Sequence, residues 1–183
     1  WLAGWYLTDG HKHHRSIPHY EGKSGSKPYS TRLGITQTKE PYKTEIGIKL
    51  HEIKDSGGLD QITEHKTSKW HPENKSWSFM GQYTKILVDL FPNRHLTVEF
   101  LLDLTKEQLL LLYSTMIDGN GWRDKVTGAE EFCAGLSKNN ADCFQILVTL
   151  IGKQARVFWN DTSLRESWSP KLSNKFPIKS KGT

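Results

Sequence analysis

The sequence predicts an α+β protein built from two similar halves, and three observations carry that reading. A short apolar helix closing on glycine, "LAGWYLTDG" at residues 2–10, returns as "YSTMIDGNG" at 113–121, with Asp9 and Asn120 in matching places 111 residues apart. Each copy leads into an extended run and then an amphipathic helix, "GITQTKEPYKTEIGI" after the first and "FCAGLSKNNADCFQI" after the second. Strand-like segments follow in both. Self-similarity at a fixed offset is the mark of a duplicated architecture. Here it sets an order of helix, strand, helix, strands, run twice around a pseudo-twofold, with halves at 1–104 and 105–183 forming one compact unit.

The elements can be justified in turn. Leu2 to Asp9 is apolar almost all round, as a buried helix is. The stretch "HKHHRSIPHYEGKSGSKPY" reads as a polar loop punctuated by Gly, Ser and Pro. "STRLGITQTK" alternates, placing Thr31, Leu33 and Ile35 toward a core and Arg32, Thr36 and Thr38 outward, which is the period of a half-buried strand. Pro41 suits a first helical turn, Ile46, Leu50 and Ile53 fall at helical spacing, and "DSGGLD" stops the run. "QITEHKTSKW" and "KSWSFMGQY" form a hairpin across "HPEN". After "KILVDLFPNRH" a helix begins at Thr105, with Gln108 as its capping-box partner. In the second half Phe144, Leu147, Val148 and Ile151 make the i, i+3, i+4, i+7 stripe of a core-packed helix, followed by strands in "QARVFW" and "SPKLSNKFPIKS".

Composition narrows the function. With 25 Lys plus Arg against 20 Asp plus Glu, the net charge of +5 suits a polyanionic partner. The two cysteines, Cys133 and Cys143, have neither CxxC spacing nor a framework count, so they read as ordinary small side chains in a reducing compartment and exclude a structural zinc site. No signal-peptide pattern opens the chain, and "QLLLLY" is too short to span a bilayer. The expected location is the cytoplasm or whichever compartment holds the polyanionic partner, and the chain is not expected to be secreted. "HKHHR" reads as polar loop, and the seven Trp residues as packing, Trp5 beside the helix interface.

The repeated helix has its own chemistry. Ala3 and Gly4 in one copy, with Ser114 and Gly119 in the other, are small enough for two helices to cross with backbones in close approach. Such a crossing would bring Asp9 and Asn120 together. An aspartate at the negative pole of a helix is placed against local electrostatic preference, which points to function. Oxygen donors gathered there suit Mg²⁺, which takes a carboxylate or two, carbonyls and water, and completes its shell with phosphate oxygens. Asp118, two positions before Asn120, is expected to act only through its neighbours.

These residues carry a resemblance. "LAGWYLTDG" and, more loosely, "YSTMIDGNG" resemble the nine-residue signature of the LAGLIDADG homing endonucleases in their single-chain, two-motif form. "LLDLTKEQLLLLYSTMIDGNG" and "LSKNNADCFQILVTLIGKQARV" are similar to the intein-borne branch. The resemblance implies two αββαββ-type halves, motif helices packed at the centre, and two antiparallel sheets forming a saddle over duplex DNA. It implies a monomer that hydrolyses both strands using Mg²⁺ or Mn²⁺ held at Asp9, Asn120 and the carbonyl of Gly119.

A curved antiparallel ribbon fits the major groove, where base edges present a full donor and acceptor code and Lys and Arg grip phosphates. Arg32, Thr36, Thr38, Lys66, Lys69, Arg123, Lys125, Lys138 and Arg156 are the candidate contacts. Two departures from the family pattern stand out. Asn120 supplies a dipole where a second carboxylate would supply charge. Where the family often has a lysine that polarises the attacking water, "PNRHL" offers Arg94, whose guanidinium stays protonated and cannot act as a base; Lys85 and Lys175 are the other candidates. A module that binds nucleic acid without cutting it or that only nicks it, like maturase-like and regulator-like relatives, is the alternative, and Asn120 leaves open whether both strands are cut or mainly one is nicked. Trp1 and the terminal "KSKGT" lack the nucleophile and the His-Asn end that splicing needs, so the chain reads as the endonuclease region of an intein, an intron-encoded enzyme or a freestanding relative.

Overall fold

The computed structural model describes residues 1–13, 31–65, 72–162 and 165–172, with backbone alone for residues 13 and 160–172. Two compact units emerge, Leu2–Arg94 and a second that begins at His95. The division falls before His95 and not after Leu104, because asparagine side chains of the second unit hold the intervening peptide. Asn140 Oδ1 accepts from the Leu96 N–H at 2.9 Å, and Asn139 Nδ2 donates to the Leu96 carbonyl at 2.8 Å.

The N-terminal unit runs α1 (Leu2–Asp9), β1 (Gly10–His13), β2 (Arg32–Gln37), α2 (Tyr42–Asp55), β3 (Gln61–His65), β4 (Lys75–Met80) and α3 (Gln82–Leu90), then a 3₁₀ turn at Pro92–Arg94. Its strands form one antiparallel sheet in the order β1-β2-β4-β3. Leu33 and Ile35 of β2, with Trp77 and Phe79 of β4, line one face and are fully buried together with Ile46 and Leu50 of α2. Thr31 precedes the strand and is exposed. "HKHHR" is not wholly a loop: His11, Lys12 and His13 pair with Gly34, Leu33 and Arg32 as strand β1, since the chain turns straight from α1 into the sheet. α3 was not expected from the apolar run "KILVDLF", which has no cap residue; Gly81 precedes it without a side-chain bond.

The second unit repeats the plan: after α4 (Val98–Leu102) come α5 (Lys106–Asn120), β5 (Gly121–Arg123), β6 (Glu130–Phe132), α6 (Lys138–Leu150), β7 (Ala155–Thr162) and β8 (Arg165–Leu172). The sheet order is β5-β6-β8-β7, again antiparallel. The capping box at Thr105 is formed, with the Gln108 N–H donating to Thr105 Oγ1 at 3.3 Å and the Thr105 N–H to Gln108 Oε1 at 2.9 Å. Phe144, Leu147 and Val148 of α6 are fully buried, and Phe144 stacks on Phe132 with ring centroids 4.3 Å apart. Each sheet therefore buries one face under its own helices, the usual solution for an α+β layer. Cys133 and Cys143 are both free thiols. Among the described residues no helix is long and apolar enough to cross a membrane.

Candidate functional site

Each motif helix ends at the same kind of junction. Gly10 follows Asp9 and opens β1 without a connecting loop; a Cβ there would stand 2.3 Å from the Tyr6 carbonyl oxygen and 2.5 Å from its ring. Gly121 follows Asn120 in the same way, with the Ile117 carbonyl oxygen 2.6 Å from where a Cβ would be. Only glycine lets the strand leave so tightly over the last helical turn, and that places Asp9 and Asn120 as the final helical residues. At the first tip Arg94 Nη1 donates to the carbonyls of Gly10 at 2.7 Å and Thr8 at 3.3 Å. A cation is favoured at this negative pole. Asn93 and Arg94 both adopt left-handed backbone, with φ of 57° and 59°, at a cost of roughly 1–2 kcal/mol each for such residues.

Gln37, at the end of β2, completes the first tip. It is 4% exposed, and its Nε2 donates to Asp9 Oδ2 at 3.1 Å. Its Oε1 accepts from the N–H groups of Thr38 at 2.8 Å and Lys39 at 2.9 Å, which fixes the amide with its donors toward Asp9. Burial pushes the Asp9 carboxyl up to about 6, against the opposing pull of Lys39 and Arg94. Desolvation disfavours the charged form, so an added cation would relieve the strain of ionising it. Among the described residues no three His, Cys, Asp or Glu side chains converge. One carboxylate with neighbouring carbonyl oxygens is a hard donor set, which fits Mg²⁺ or Mn²⁺ completed by water and phosphate and does not fit zinc. Asp9 would hold such an ion.

The second tip is built differently. Asn120 Nδ2 donates to the Cys133 carbonyl at 2.7 Å, and the Cys133 N–H to the Asn120 carbonyl at 2.9 Å. Gly119 is buried in the last turn of α5. Asp118 pairs closely with Arg123, whose Nε also donates to Glu130 at 2.7 Å. Glu130 also accepts from the Tyr113 hydroxyl and, at 3.2 Å, from Lys153, and against the opposing effect of burial the hydrogen bonds from Tyr113, Arg123 and Lys153 hold its carboxyl below the usual range.

No family model matches the chain, and no curated protein resembles it in sequence. Solved structures do match. I-DmoI in complex with DNA and Mn superposes with a TM-score of 0.66 at 13% identity, over 94% of this chain and 86% of that one. The fold is that of the LAGLIDADG endonucleases. I-WcaI bound to its DNA recognition sequence gives a TM-score of 0.57 at 11% identity, over 95% of this chain and 74% of that one. The N-terminal LAGLIDADG domain of DUF199/WhiA gives 0.52 at 8%, over 95% and 73%.

On this LAGLIDADG fold the candidate DNA contacts separate into groups. In the first unit Arg32 and Thr36 lie on the sheet face opposite the core. Arg32 Nη2 donates to Gln61 Oε1 at 3.2 Å, and Thr36 Oγ1 to Ser76 Oγ at 2.9 Å. Thr63 and His65 share that face by register, so it is polar throughout the middle. In the second unit Arg156 is exposed on β7 and Lys125 on the β5–β6 turn.

Three of the expected contacts already make bonds within the protein. Arg123 lies on the same face of its sheet as buried Phe132 and pairs with Asp118 and Glu130 while remaining exposed. Lys138 belongs to the first turn of α6, where it pairs with Asp142 at 2.6 Å. Thr38 follows the strand, is exposed, and through its backbone N–H donates to Gln37 Oε1. Lys85 is exposed on α3, and the cations acting on Asp9 are Lys39 and Arg94. Lys66, Lys69 and Lys175 lie outside the described residues. Gln37 escaped the sequence reading because strand alternation puts it on the apolar face of Leu33 and Ile35. A polar residue at such a position was itself the available signal.

Proposed function

We propose that this chain is a site-specific DNA endonuclease that binds duplex DNA on its two sheets and hydrolyses phosphodiester bonds with a divalent cation, Mg²⁺ or Mn²⁺, working as a monomer. The observation that carries the reading is the Asp9–Gln37 pair: a carboxylate kept in a buried setting at a helix tip, oriented by a fixed amide and flanked by Lys39 and Arg94. Asp9 would hold the cation, whose chemistry is to polarise a phosphate oxygen and a bound water. Gln37 orients the carboxylate, and Arg94 fixes the backbone that carries it. The polar sheet face around Arg32, Thr36, Gln61 and His65 offers donors and acceptors suited to base edges. Its fold neighbours I-DmoI and I-WcaI, caught with DNA, support the partner class.

A second reading, a DNA-binding module that does not cut, is favoured by Asn120, which brings no charge and whose amide is engaged by the Cys133 carbonyl. The two readings part in one experiment. Closed circular plasmids carrying a randomised insert are selected for binding, then incubated with Mg²⁺, and broken ends are sequenced. The endonuclease reading expects ends at a selected sequence, and none with Asp9→Asn at undiminished binding. Selected binding with no breakage at all would establish the second reading.

A further inference from the structure

The two helix tips can be compared position by position, because the same register closes both. Gly10 pairs with Ile35 and Gly121 with Phe132, so Ile35 and Phe132 are equivalent. Two residues on, Gln37 of the first unit corresponds to Ala134 of the second. Two further, Lys39 corresponds to Leu136, which is 74% exposed. The carboxylate, the amide that orients it and the nearby cation of the first tip are thus replaced by Asn120, Ala134 and Leu136. The next lysine, Lys138, is turned to Asp142 on α6. Asn120 donates to the Cys133 carbonyl, and the residue two positions past Phe132 by count, Ala134, has no polar side-chain atom with which to address it as Gln37 addresses Asp9.

We infer that the second tip does not support hydrolysis and that the chain nicks one chosen strand of its DNA site, leaving the other intact. The inference rests on the endonuclease reading and goes beyond it by naming the product. In the step at the first tip, a water oxygen bonds to phosphorus as the P–O3′ bond breaks, and the water's proton leaves with the 3′ oxygen. The product is an open circle with a 5′-phosphate and a 3′-hydroxyl at a single break. No second break follows, since hydrolysis needs a transition state stabilised by charge that is preorganised before reaction, and Asn120, Ala134 and Leu136 offer a single neutral dipole.

The test uses the binding-selected plasmid pool with the intact chain and Mg²⁺, reading ends separately on the two strands. The expected product is open circle, with ends from one strand outnumbering those from the other at least tenfold. Equal numbers on both strands, with linear DNA forming as fast as open circle, would overturn the inference and leave the endonuclease reading standing. Absence of breaks on either strand would overturn both. A variant carrying Asn120→Asp, Ala134→Gln and Leu136→Lys together is expected to convert open circle into linear DNA. If it folds, shown by an unchanged cooperative thermal transition, and still breaks one strand only, these three positions are not the cause. If it does not fold, the strand count of the unaltered chain decides alone.

Discussion

Gln37 donates to Asp9 Oδ2 at 3.1 Å across 28 residues of sequence, and the two backbone N–H groups that follow Gln37 hold its amide in place. The helix tip and the strand end are therefore one piece. Replacing Gln37 with Leu would keep the volume but leave the N–H groups of Thr38 and Lys39 without their acceptor. A destabilisation of about 1–3 kcal/mol is expected, together with loss of cleavage at unchanged duplex affinity. A variant as active as the parent would dissolve the link between amide and carboxylate.

Asp9 makes a pH prediction. Its folded pKa of about 6 lies above the ordinary 3.8, so the folded state holds the proton more tightly. Stability is then greatest below about pH 4 and declines as pH rises through about 6. Asp9→Asn removes that decline and is expected to be more stable than the parent at neutral pH by on the order of 1–2 kcal/mol. Thermal melts from acid to neutral pH read this directly. Mg²⁺ should raise the neutral-pH melting temperature of the parent and not of Asp9→Asn; parallel pH profiles for the two proteins would contradict the buried charge.

The two arginines of the second sheet should behave oppositely. Arg123→Met removes the cation that Asp118 and Glu130 share and is expected to cost up to about 1 kcal/mol of stability with little change in the salt dependence of DNA binding. Arg156→Ala should leave stability nearly unchanged and reduce the magnitude of the salt slope by about 1. Binding isotherms at several salt concentrations, set beside melts, separate the roles, and a reversed pattern would return Arg123 to the DNA interface.

Gly10→Ala and Gly121→Ala are each expected to destabilise by about 3 kcal/mol or more, because the added carbon meets a backbone carbonyl that cannot move without unwinding the helix. Gly57, where nothing lies within 4 Å, is a control for space, although its φ of 83° still disfavours a side chain. Urea titration of the three variants would rank them, and tolerance at Gly10 would mean that the helix-to-strand junction is looser than its geometry.

Much of this protein was legible in the chain because the signals are local or repeated. Leu33 and Ile35 alternate with Arg32 and Thr36; Thr105 and Gln108 box a helix start; Phe144, Leu147 and Val148 recur at helical spacing. Asp9 and Asn120 each stand before a glycine that nothing larger could replace. Period, cap and repeat are properties of neighbouring residues, so fold class and the two helix tips follow from sequence. What surrounds the tips does not. Arg94 reaches Thr8 across 86 residues, and Gln37 stands in sequence at a core-facing position with nothing nearby to show that its partner is Asp9. Arg123 reads as a bare charge until folding sets it between Asp118 and Glu130. Charge is read from the chain, but its partners are chosen by register and by which face of a sheet is buried. Tertiary structure alone decided that Asp9 has an oriented amide beside it and that the Asn120 amide is held by the Cys133 carbonyl.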